Sequence, residues 1–521
     1  MSIVQAYTEA YRNYLFDESR TMGRADYIAF PRNEAELVEA VRFARDNHVP
    51  LTAQGARTGL AGGASPQGGM ILNLSRMDRI LGIRRDGEGR FLLRVQPGVA
   101  LTTVRKALKN KSFDVSGWDE ESRETLKEVR AGALFFSPDP TEPTASIGGM
   151  ASCNACGARS FLYGCTRKHV NALRAVLADG RVTELMRGRE RARGREFELP
   201  CTDGSVVRGR LPDFDTPDIK DAGYLLRADM DLIDLFLGSQ GTLGVISELE
   251  LILLPSPALL CGVTAFFPDD ENALQYVYAM KKFDPKPASI EFFDKRALDL
   301  VEAQKAETPA FRQLQPLPEN YCCAVYVEFN LDDKGGLCPV LEKLAPVIER
   351  SGGDADNTWV ARDELELEKL LLFRHSVPET IDIHVEKNKK NEPEITILST
   401  DMAVDDAHFD ALFHLYKRDL EASGLPCLIF GHIGENHVHP NVLARNLDEY
   451  RRGHALFEKW ARDVSDMGGT ITAEHGAGKI KRKLALIMYG EEKMRKLWAL
   501  KRQLDPENIL GPGNVLTEVE R

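Results

Sequence analysis

The stretch richest in reactive side chains is residues 430–441, which read Phe-Gly-His-Ile-Gly-Glu-Asn-His-Val-His-Pro-Asn. A second short motif, Glu-His-Gly-Ala-Gly, follows at residues 474–478. Imidazole and carboxylate groups at this density are typical ligands of a divalent ion such as zinc or manganese. Separate structural histidines on polar loops are the alternative. The candidate side chains are His432, His437, His439, Glu474 and His475.

Three glycine-rich stretches precede these motifs, at residues 54–64, 144–164 and 238–246. Glycine lets the backbone approach a ligand closely, and successive N–H groups form a concave anion site. Two such loops in one domain suggest a pyrophosphate, although a single loop could merely serve a turn. No G-x-G-x-x-G opens a helix after the first strand, and no G-x-x-x-x-G-K-[ST] is present.

Short strands and helices must position these loops. Residues 26–31 predict a strand, and Asn33 opens an amphipathic helix after it. Residues 170–177 predict a further strand. The arginine-rich, proline-punctuated segment 186–217 predicts a long loop.

Composition changes at Pro255-Ser256-Pro257, which predicts a domain boundary. Strands and helices then alternate, which favours a second α+β domain with an antiparallel sheet. The predicted strands are 260–267, 322–329, 394–398 and 428–430, and the predicted helices are 271–281, 340–351, 362–373 and 405–423.

The chain of 521 residues is long enough for several domains and a large ligand. Its net charge of -12 argues against a nucleic-acid surface as a main role. No apolar run is long enough to span a membrane, and no secretory signal is evident, so we expect a cytoplasmic protein. Attachment to a membrane through a partner stays open.

The nine cysteines are an odd number scattered along the chain, which fits a reducing compartment. Cys153, Cys156 and Cys165 form one C-x-x-C and a distant third sulfur. A zinc or iron–sulfur site is disfavoured because no matching second pair exists.

The three glycine-rich stretches resemble, in order and spacing, those of the FAD-binding domain in vanillyl-alcohol-oxidase-type flavoproteins. The resemblance implies that the first loop cradles the FAD pyrophosphate and that the second follows the ribityl chain and flavin ring. It also implies a two-lobed FAD-binding domain with an antiparallel-sheet α+β cap domain. The matching residues are Gly55, Ala56, Arg57, Thr58, Gly59 and Leu60, then Ile147, Gly148, Gly149, Asn154, Gly157 and Gly164, then Gly241, Gly244 and Ile246.

Three positions depart from that pattern. Ala56 stands where glycine is usual, Cys156 replaces the first glycine of an Asn-Ala-Gly-Gly pattern, and Gln240 replaces a common glutamate. Family members that hold FAD covalently usually carry a histidine in the first loop. That loop has no histidine here, so the resemblance implies non-covalent FAD.

The histidine motifs resemble Gly-His-x-Gly-Asp-Gly-Asn-x-His and Glu-His-Gly-x-Gly of flavin-dependent 2-hydroxy-acid dehydrogenases, such as D-lactate, glycolate and D-2-hydroxyglutarate dehydrogenases. The resemblance implies His432, His439 and Glu474 as metal ligands and His475 as the base. His437 stands where asparagine is usual, as an added ligand or a substrate contact.

Arg374 falls where the family has an arginine that grips the substrate carboxylate; a helix-stabilising arginine is the alternative. The family's lysine two residues before an aspartate is absent before Asp401, and Pro378 stands where a small hydroxyl residue is common. A larger or unusual hydroxy acid is therefore as compatible as lactate.

These observations predict a FAD-dependent enzyme that oxidises a 2-hydroxy acid to a 2-oxo acid, aided by a divalent metal. The alternatives are a non-redox flavoenzyme of the alkyl-dihydroxyacetone-phosphate-synthase type, a flavin-free metallohydrolase and a subunit that only relays electrons. The electron acceptor would be a quinone, a cytochrome, another flavoprotein or an iron–sulfur partner. The predicted domains are residues 1–256 for FAD, 257–470 for substrate, and 471–521 returning to the FAD domain.

Overall fold

The computed structural model describes residues 3–217, 219–220, 223–319 and 321–517. The chain forms two compact units, and each unit gathers segments that are distant in sequence. For the residues described, unit 1 comprises Met1–Cys156, Gly164–Ser256 and Thr472–Arg521, and unit 2 comprises Gly157–Tyr163 and Pro257–Ile471.

The first sheet of unit 1 carries the first glycine loop. Its strands are β1 (Val4–Ala6), β2 (Tyr27–Ala29), β3 (Leu51–Gln54) and β4 (Met70–Asn73), in the order β1-β2-β4-β3. Strands β2, β4 and β3 run parallel, and helix α1 (Glu34–Asp46) connects β2 to β3. Asn33 caps α1 by accepting from the Glu36 N–H. The glycine loop begins at Gly55, directly after β3 ends.

The second sheet of unit 1 is antiparallel and leads out of the third glycine-rich turn. Its strands are β5 (Ile80–Arg85), β6 (Phe91–Val95), β7 (Leu134–Phe135), β8 (Val170–Val176), β9 (Val182–Met186) and β12 (Val245–Pro255). The strand order is β5-β6-β12-β8-β9, and β7 pairs with the end of β12. Strand β12 is a central strand of this sheet and starts at Val245. The turn before it therefore lies at the end of that strand.

Four more helices belong to unit 1, within the described ranges. They are α2 (Leu101–Asn110), α3 (Glu120–Glu128), α4 (Ile147–Cys153) and α12 (Arg482–Leu504), and α12 is interrupted at Gly490. Ser146 caps α4, so the second glycine-rich stretch begins as a helix. Ile509 and Leu510, beyond α12, pack in the same core as α1 and the first sheet.

The segment 186–217, predicted as a long loop, contains a β-hairpin instead. Its strands β10 (Glu196–Pro200) and β11 (Val206–Arg210) pair antiparallel. Phe197, Leu199 and Val207 are buried, so apolar alternation within an arginine-rich segment is sufficient to form the pair.

Unit 2 is built on a six-stranded antiparallel sheet of the described residues. The strands are β13 (Leu259–Phe267), β14 (Ser289–Asp294), β15 (Cys323–Leu331), β16 (Trp359–Val360), β17 (Cys427–His432) and β18 (His437–Val442). Their order in the sheet is β16-β13-β15-β14-β17-β18. The helices are α5 (Ser160–Tyr163), α6 (Asp270–Lys281), α7 (Lys295–Gln304), α8 (Leu337–Arg350), α9 (Glu364–Lys389), α10 (Phe409–Ser423) and α11 (Leu447–Asp466).

In unit 2, one predicted strand is wrong and one predicted helix is longer than expected. Residues 394–398 form no strand, and only Ser399 makes an isolated bridge, to Asn441. Helix α9 does not end at Phe373 but continues through Pro378. The Ser376 hydroxyl donates to the Phe373 carbonyl, and the buried side chains beyond the proline keep their helical spacing.

Cys156 and Cys165 form a disulfide. Both belong to unit 1, whereas the residues between them from Gly157 to Tyr163 belong to unit 2. This pair is not evident from the sequence, where three nearby cysteines leave the partner undefined. The disulfide joins the two points at which the chain leaves unit 1 and returns to it.

Among the described residues, no helix is both long enough and apolar enough to cross a bilayer.

Candidate active site

A cleft in unit 1 collects all three glycine-rich stretches together with Glu474 and His475. Its volume is about 1400 Å³, counting the solvent at its mouth. A cleft that three separate loops line together suits an extended ligand such as a dinucleotide. The predicted cofactor residues that line it are Gly55, Ala56, Arg57, Thr58, Gly59, Leu60, Gly148, Gly149, Gly241, Gly244 and Ile246.

Four predicted cofactor residues do not line this cleft. Ile147 is fully buried in α4, and Gly157 belongs to unit 2. Asn154 ends α4 with a φ of 49°, and its side chain accepts from the Arg167 N–H at 2.8 Å. Gly164 adopts a φ of 78° beside Cys165. Asn154 therefore shapes the loop around the cleft.

Ser146 connects the first and second glycine loops. Its Oγ accepts from the Ala56 N–H at 3.2 Å and from the Gly149 N–H at 3.3 Å. A Cβ on Gly55 would lie 2.0 Å from this Oγ, so the close approach requires glycine. Sequence reasoning missed this residue, although a serine directly before a helical stretch is a typical cap.

The Arg57 side chain contacts the N-terminal segment of unit 1. Its guanidinium lies 4.7 Å from the centre of the Tyr14 ring and donates to the Asn13 carbonyl. The backbone of Arg57, with a φ of 64°, is the part that shapes the loop.

The turn after His475 packs against the first loop and the third turn. Gly478 has a φ of 49°, and a Cβ there would lie 2.0 Å from the Ala61 carbonyl oxygen. Its N–H donates to Gln240 Oε1 at 2.8 Å, and the Gln240 N–H donates to the Ser152 carbonyl. The side-chain amide of Gln240 therefore holds the motif that carries His475.

In unit 2, the β17–β18 hairpin presents three histidines on one face. His432 pairs with His437 across the strands, and His439 lies two residues beyond His437. Residues with this relation share a face of a sheet. A ring nitrogen of His432 and one of His439 lie within 4.8 Å of each other.

Glu291 on β14 is a buried carboxylate that sequence reasoning missed. Its Oε1 lies 2.7 Å from His432 Nδ1, and its Oε2 accepts from Arg374 Nε at 3.2 Å. Its contacts lie 141 and 83 residues away along the chain, so no local pattern could have revealed them. The His432 Nδ1–H is the donor to a carboxylate, and the lone pair of the neutral ring is then on Nε2.

His439 and His437 are also held by their surroundings. His439 Nδ1 lies 2.8 Å from the Thr400 carbonyl oxygen, which can only accept, so His439 too carries its lone pair on Nε2. His437 is fully buried, with Nε2 at 3.2 Å from Asp401 Oδ1. This buried contact favours a supporting role for His437.

Arg374 lies on α9 and is 9% exposed. Besides Glu291, its Nη1 lies 3.0 Å from His375 Nε2. In unit 1, Glu474 and His475 are partly exposed, and Lys220 Nζ lies 3.9 Å from Glu474 Oε1.

The amino-acid sequence matches two domain models that account for both units. A model described as "FAD binding domain" matches residues 25–116 and 123–186, and "FAD linked oxidases, C-terminal domain" matches residues 257–515. The chain belongs to the FAD-linked oxidase family. FAD is therefore its cofactor, which favours a flavoenzyme over a flavin-free metallohydrolase.

Named relatives of this FAD-linked oxidase span nearly the whole chain. D-lactate dehydrogenase of Anaerostipes hadrus is 26% identical over 97% of this chain and 93% of its own length. Glycolate oxidase subunit GlcD of Bacillus subtilis (strain 168) is 27% identical over 95% of this chain and 90% of its own.

The fold is that of a solved oxidase. A 4-ethylphenol oxidase from Gulosibacter chungangensis, in complex with isoeugenol, superposes with a TM-score of 0.66. The two sequences are 17% identical, and the superposition covers 99% of this chain and 94% of the oxidase. The predicted vanillyl-alcohol-oxidase-type fold with an α+β second domain is confirmed, as is the prediction of an FAD-dependent oxidoreductase.

Proposed function

We propose that this FAD-linked oxidase oxidises the α-hydroxyl of a 2-hydroxy acid to a 2-oxo acid. The observation that carries the proposal is that one cleft in unit 1 is lined by the glycine loops together with Glu474 and His475. A base that takes a hydroxyl proton must lie beside the group that takes the hydride. The names of both relatives support the same substrate class.

The side chain of His475 accepts the proton of the substrate hydroxyl. Imidazole as a chemical group titrates near neutrality, which suits it to this task. Gly476 and Gly478 let the backbone of the motif approach the cofactor loops, and Gln240 fixes the turn. FAD, held non-covalently along the glycine loops, supplies the hydride acceptor when bound.

His432, His439 and Glu474 are the proposed ligands of a divalent metal, zinc or manganese. The donor set in unit 2 fits such an ion, because Glu291 and Thr400 each fix a ring through Nδ1 and leave Nε2 as the coordinating nitrogen. When bound, the metal supplies Lewis-acid polarisation of the substrate hydroxyl. Arg374 is the proposed carboxylate anchor, with its orientation set by Glu291.

Electrons leave through a separate acceptor: a quinone, a cytochrome, another flavoprotein or an iron–sulfur partner. The alkyl-dihydroxyacetone-phosphate-synthase type of chemistry is less favoured, since the relatives named above are a dehydrogenase and an oxidase.

Anaerobic mixing of the purified enzyme with D- and L-2-hydroxy acids tests the proposal. We expect loss of flavin absorbance near ~450 nm with at least one acid, because the cofactor is the hydride acceptor. The His475→Ala variant should retain FAD and bleach at least ~100-fold more slowly. Equal rates in parent and variant would reject His475 as the base, and a flavin that no hydroxy acid bleaches would reject the substrate class.

A further inference from the structure

Lys479 is a buried cation beside the first glycine loop to which the proposed reaction assigns no task. The residue is 6% exposed. The ammonium donates to Asn514 Oδ1 at 2.8 Å, to the Gly63 carbonyl at 3.0 Å and to the Gly62 carbonyl at 3.5 Å. Three donors thus meet three oxygen acceptors.

These contacts fix the end of the first loop, where side chains that could pack are nearly absent. The backbone N–H groups of Lys479 and Ile480 both donate to the Ala61 carbonyl. Asn514 Nδ2 donates to the Gly63 carbonyl and to the Gln240 carbonyl, both at 3.1 Å. Since a glycine-rich loop has little packing energy of its own, its conformation depends on such hydrogen bonds.

The two sides of the first glycine loop have different surroundings. Ala61, Gly63 and Asn514 line the cofactor cleft. The carbonyl oxygens at this end of the loop point to Lys479 and Asn514. Because these carbonyls are hydrogen-bonded to Lys479 and Asn514, their oxygens do not face an anionic ligand in the cleft. The positive charge of Lys479 lies on the opposite side of the loop from that ligand.

We propose that Lys479 positions the first glycine loop for FAD, so that cofactor affinity depends on the lysine being protonated. The ammonium does not touch the chemistry at the substrate; it acts through the loop. This inference rests on FAD as the cofactor, which the family establishes, and not on the substrate or the metal.

A pH dependence follows in the range where this lysine titrates. Burial lowers the pKa of Lys479 to about 8, Asp17 acts in the opposite direction, and Arg482 lowers it further. Asp17 accepts from the N–H of Ala64, the residue that follows Gly63 in the same loop. A bound pyrophosphate favours the ammonium and therefore raises this pKa. FAD affinity is then constant below pH 8 and falls above it, by up to about tenfold per pH unit.

The test measures FAD release from full-length holoenzyme without any substrate. Samples of parent, Lys479→Met and Lys483→Met are diluted between pH 6.5 and 9.5, and released flavin is followed by its fluorescence. Methionine keeps the length of the side chain but removes the three donors. Lys483→Met is the matched control, because it removes the same charge from an exposed position of α12.

We expect parent and Lys483→Met to release FAD increasingly above pH 8. Lys479→Met should bind FAD about 10- to 100-fold more weakly at pH 7, since a charge-assisted hydrogen-bond donor is lost, and its affinity should not change with pH. Equal affinity of Lys479→Met and parent overturns the proposal. If Lys479→Met fails to fold, parent enzyme whose FAD affinity is the same at pH 7 and pH 9.5 overturns it alone.

Discussion

Glu291 hydrogen-bonds with two side chains that the sequence assigns to separate tasks. Its carboxylate holds His432, a proposed metal ligand, and Arg374, the proposed substrate anchor, at 2.7 and 3.2 Å. Both contacts are within unit 2 and are almost fully buried. The proposed metal ligand and the proposed substrate anchor therefore share one support.

The Glu291→Gln substitution tests this shared support. Glutamine offers one oxygen where the carboxylate offers two, so His432 and Arg374 cannot both keep their acceptor. We expect metal affinity to fall about 10- to 100-fold and KM to rise, while the protein stays folded. Metal retained after dialysis against a chelator, measured beside KM and kcat, checks this.

Glu328→Gln is the matched control for Glu291. Glu328 is a buried carboxylate of the adjacent strand β15 that accepts from Arg159. The Glu328→Gln variant should retain its metal. Equal metal loss in both variants would mean that any buried charge removed from this sheet disturbs the site, and Glu291 would have no special role.

Helix α7 is capped by a carboxylate whose negative charge is unfavourable at its buried position. Asp294 caps it by accepting from the Ala297 N–H at 2.8 Å and is 3% exposed. Burial raises the pKa of Asp294 to about 6 from 3.8, although Lys417 acts in the opposite direction. At neutral pH, the cap is therefore a carboxylate that burial disfavours.

The sign of the pH effect on α7 follows from this pKa. The folded state binds more protons than the unfolded state between about pH 4 and pH 6, so the free energy of unfolding falls as pH rises through that range. An asparagine side chain would cap the helix without charge. The Asp294→Asn variant should therefore gain about 1–3 kcal/mol at pH 7 and nothing below pH 4. Chemical denaturation at several pH values measures the difference.

Asp363→Asn provides the comparison for this prediction. Asp363 caps α9 in the same manner, through the Glu366 N–H, but is exposed. Its replacement should not give the gain in stability at pH 7 that is expected for Asp294→Asn, because Asp363 is not buried. A similar pH-dependent gain in both variants would show that the effect of Asp294 does not come from burial.

At the scale of the whole molecule, the chain passes twice from unit 1 to unit 2 and back. The Cys156–Cys165 disulfide lies at the first pair of crossings, and Cys156 also lines the cofactor cleft. The covalent link therefore holds the end of the second glycine loop while the chain between the cysteines belongs to the other unit.

Thiol counting and a Cys165→Ser variant test this link. The denatured parent should show seven thiols before reduction and nine after it. Breaking a link across a loop of this length removes about 2–3 kcal/mol. We expect Cys165→Ser to lose FAD more readily than parent, as judged by flavin retained after gel filtration.

Cys201→Ser serves as the control for the disulfide, since Cys201 is a buried free cysteine of unit 1. This variant should keep FAD as the parent does. Nine thiols in the unreduced parent would contradict the disulfide outright.

The parts that could be predicted from sequence are those with a local signature. Glycine density identified the loops, because close backbone approach requires glycine at positions such as Gly55 and Gly478. The fold class followed from the order of these loops. The capping role of Ser146 could also have been predicted, since helix capping depends on residues that are close together in sequence.

The supports of the site could not be predicted because their partners are far apart in sequence. Glu291 lies in a strand whose side chains are all buried, where a carboxylate has no visible partner nearby. Likewise, the sequence predicted a helix over 362–373, and only the buried face of α9 shows that the helix continues through Pro378. Lys479 follows the Glu-His-Gly motif, yet its acceptors Gly63 and Asn514 are set by the tertiary fold.

The position of Lys479 and Asn514 near the end of unit 1 has a consequence for biosynthesis. A ribosome completes both glycine loops, the third turn and all of unit 2 before it makes either residue. The nascent chain thus exposes an unfinished cofactor cleft throughout the translation of residues 257–471. The hydrogen bonds that Lys479 and Asn514 give to the first glycine loop therefore form only after the segment from Thr472 onward has been synthesised.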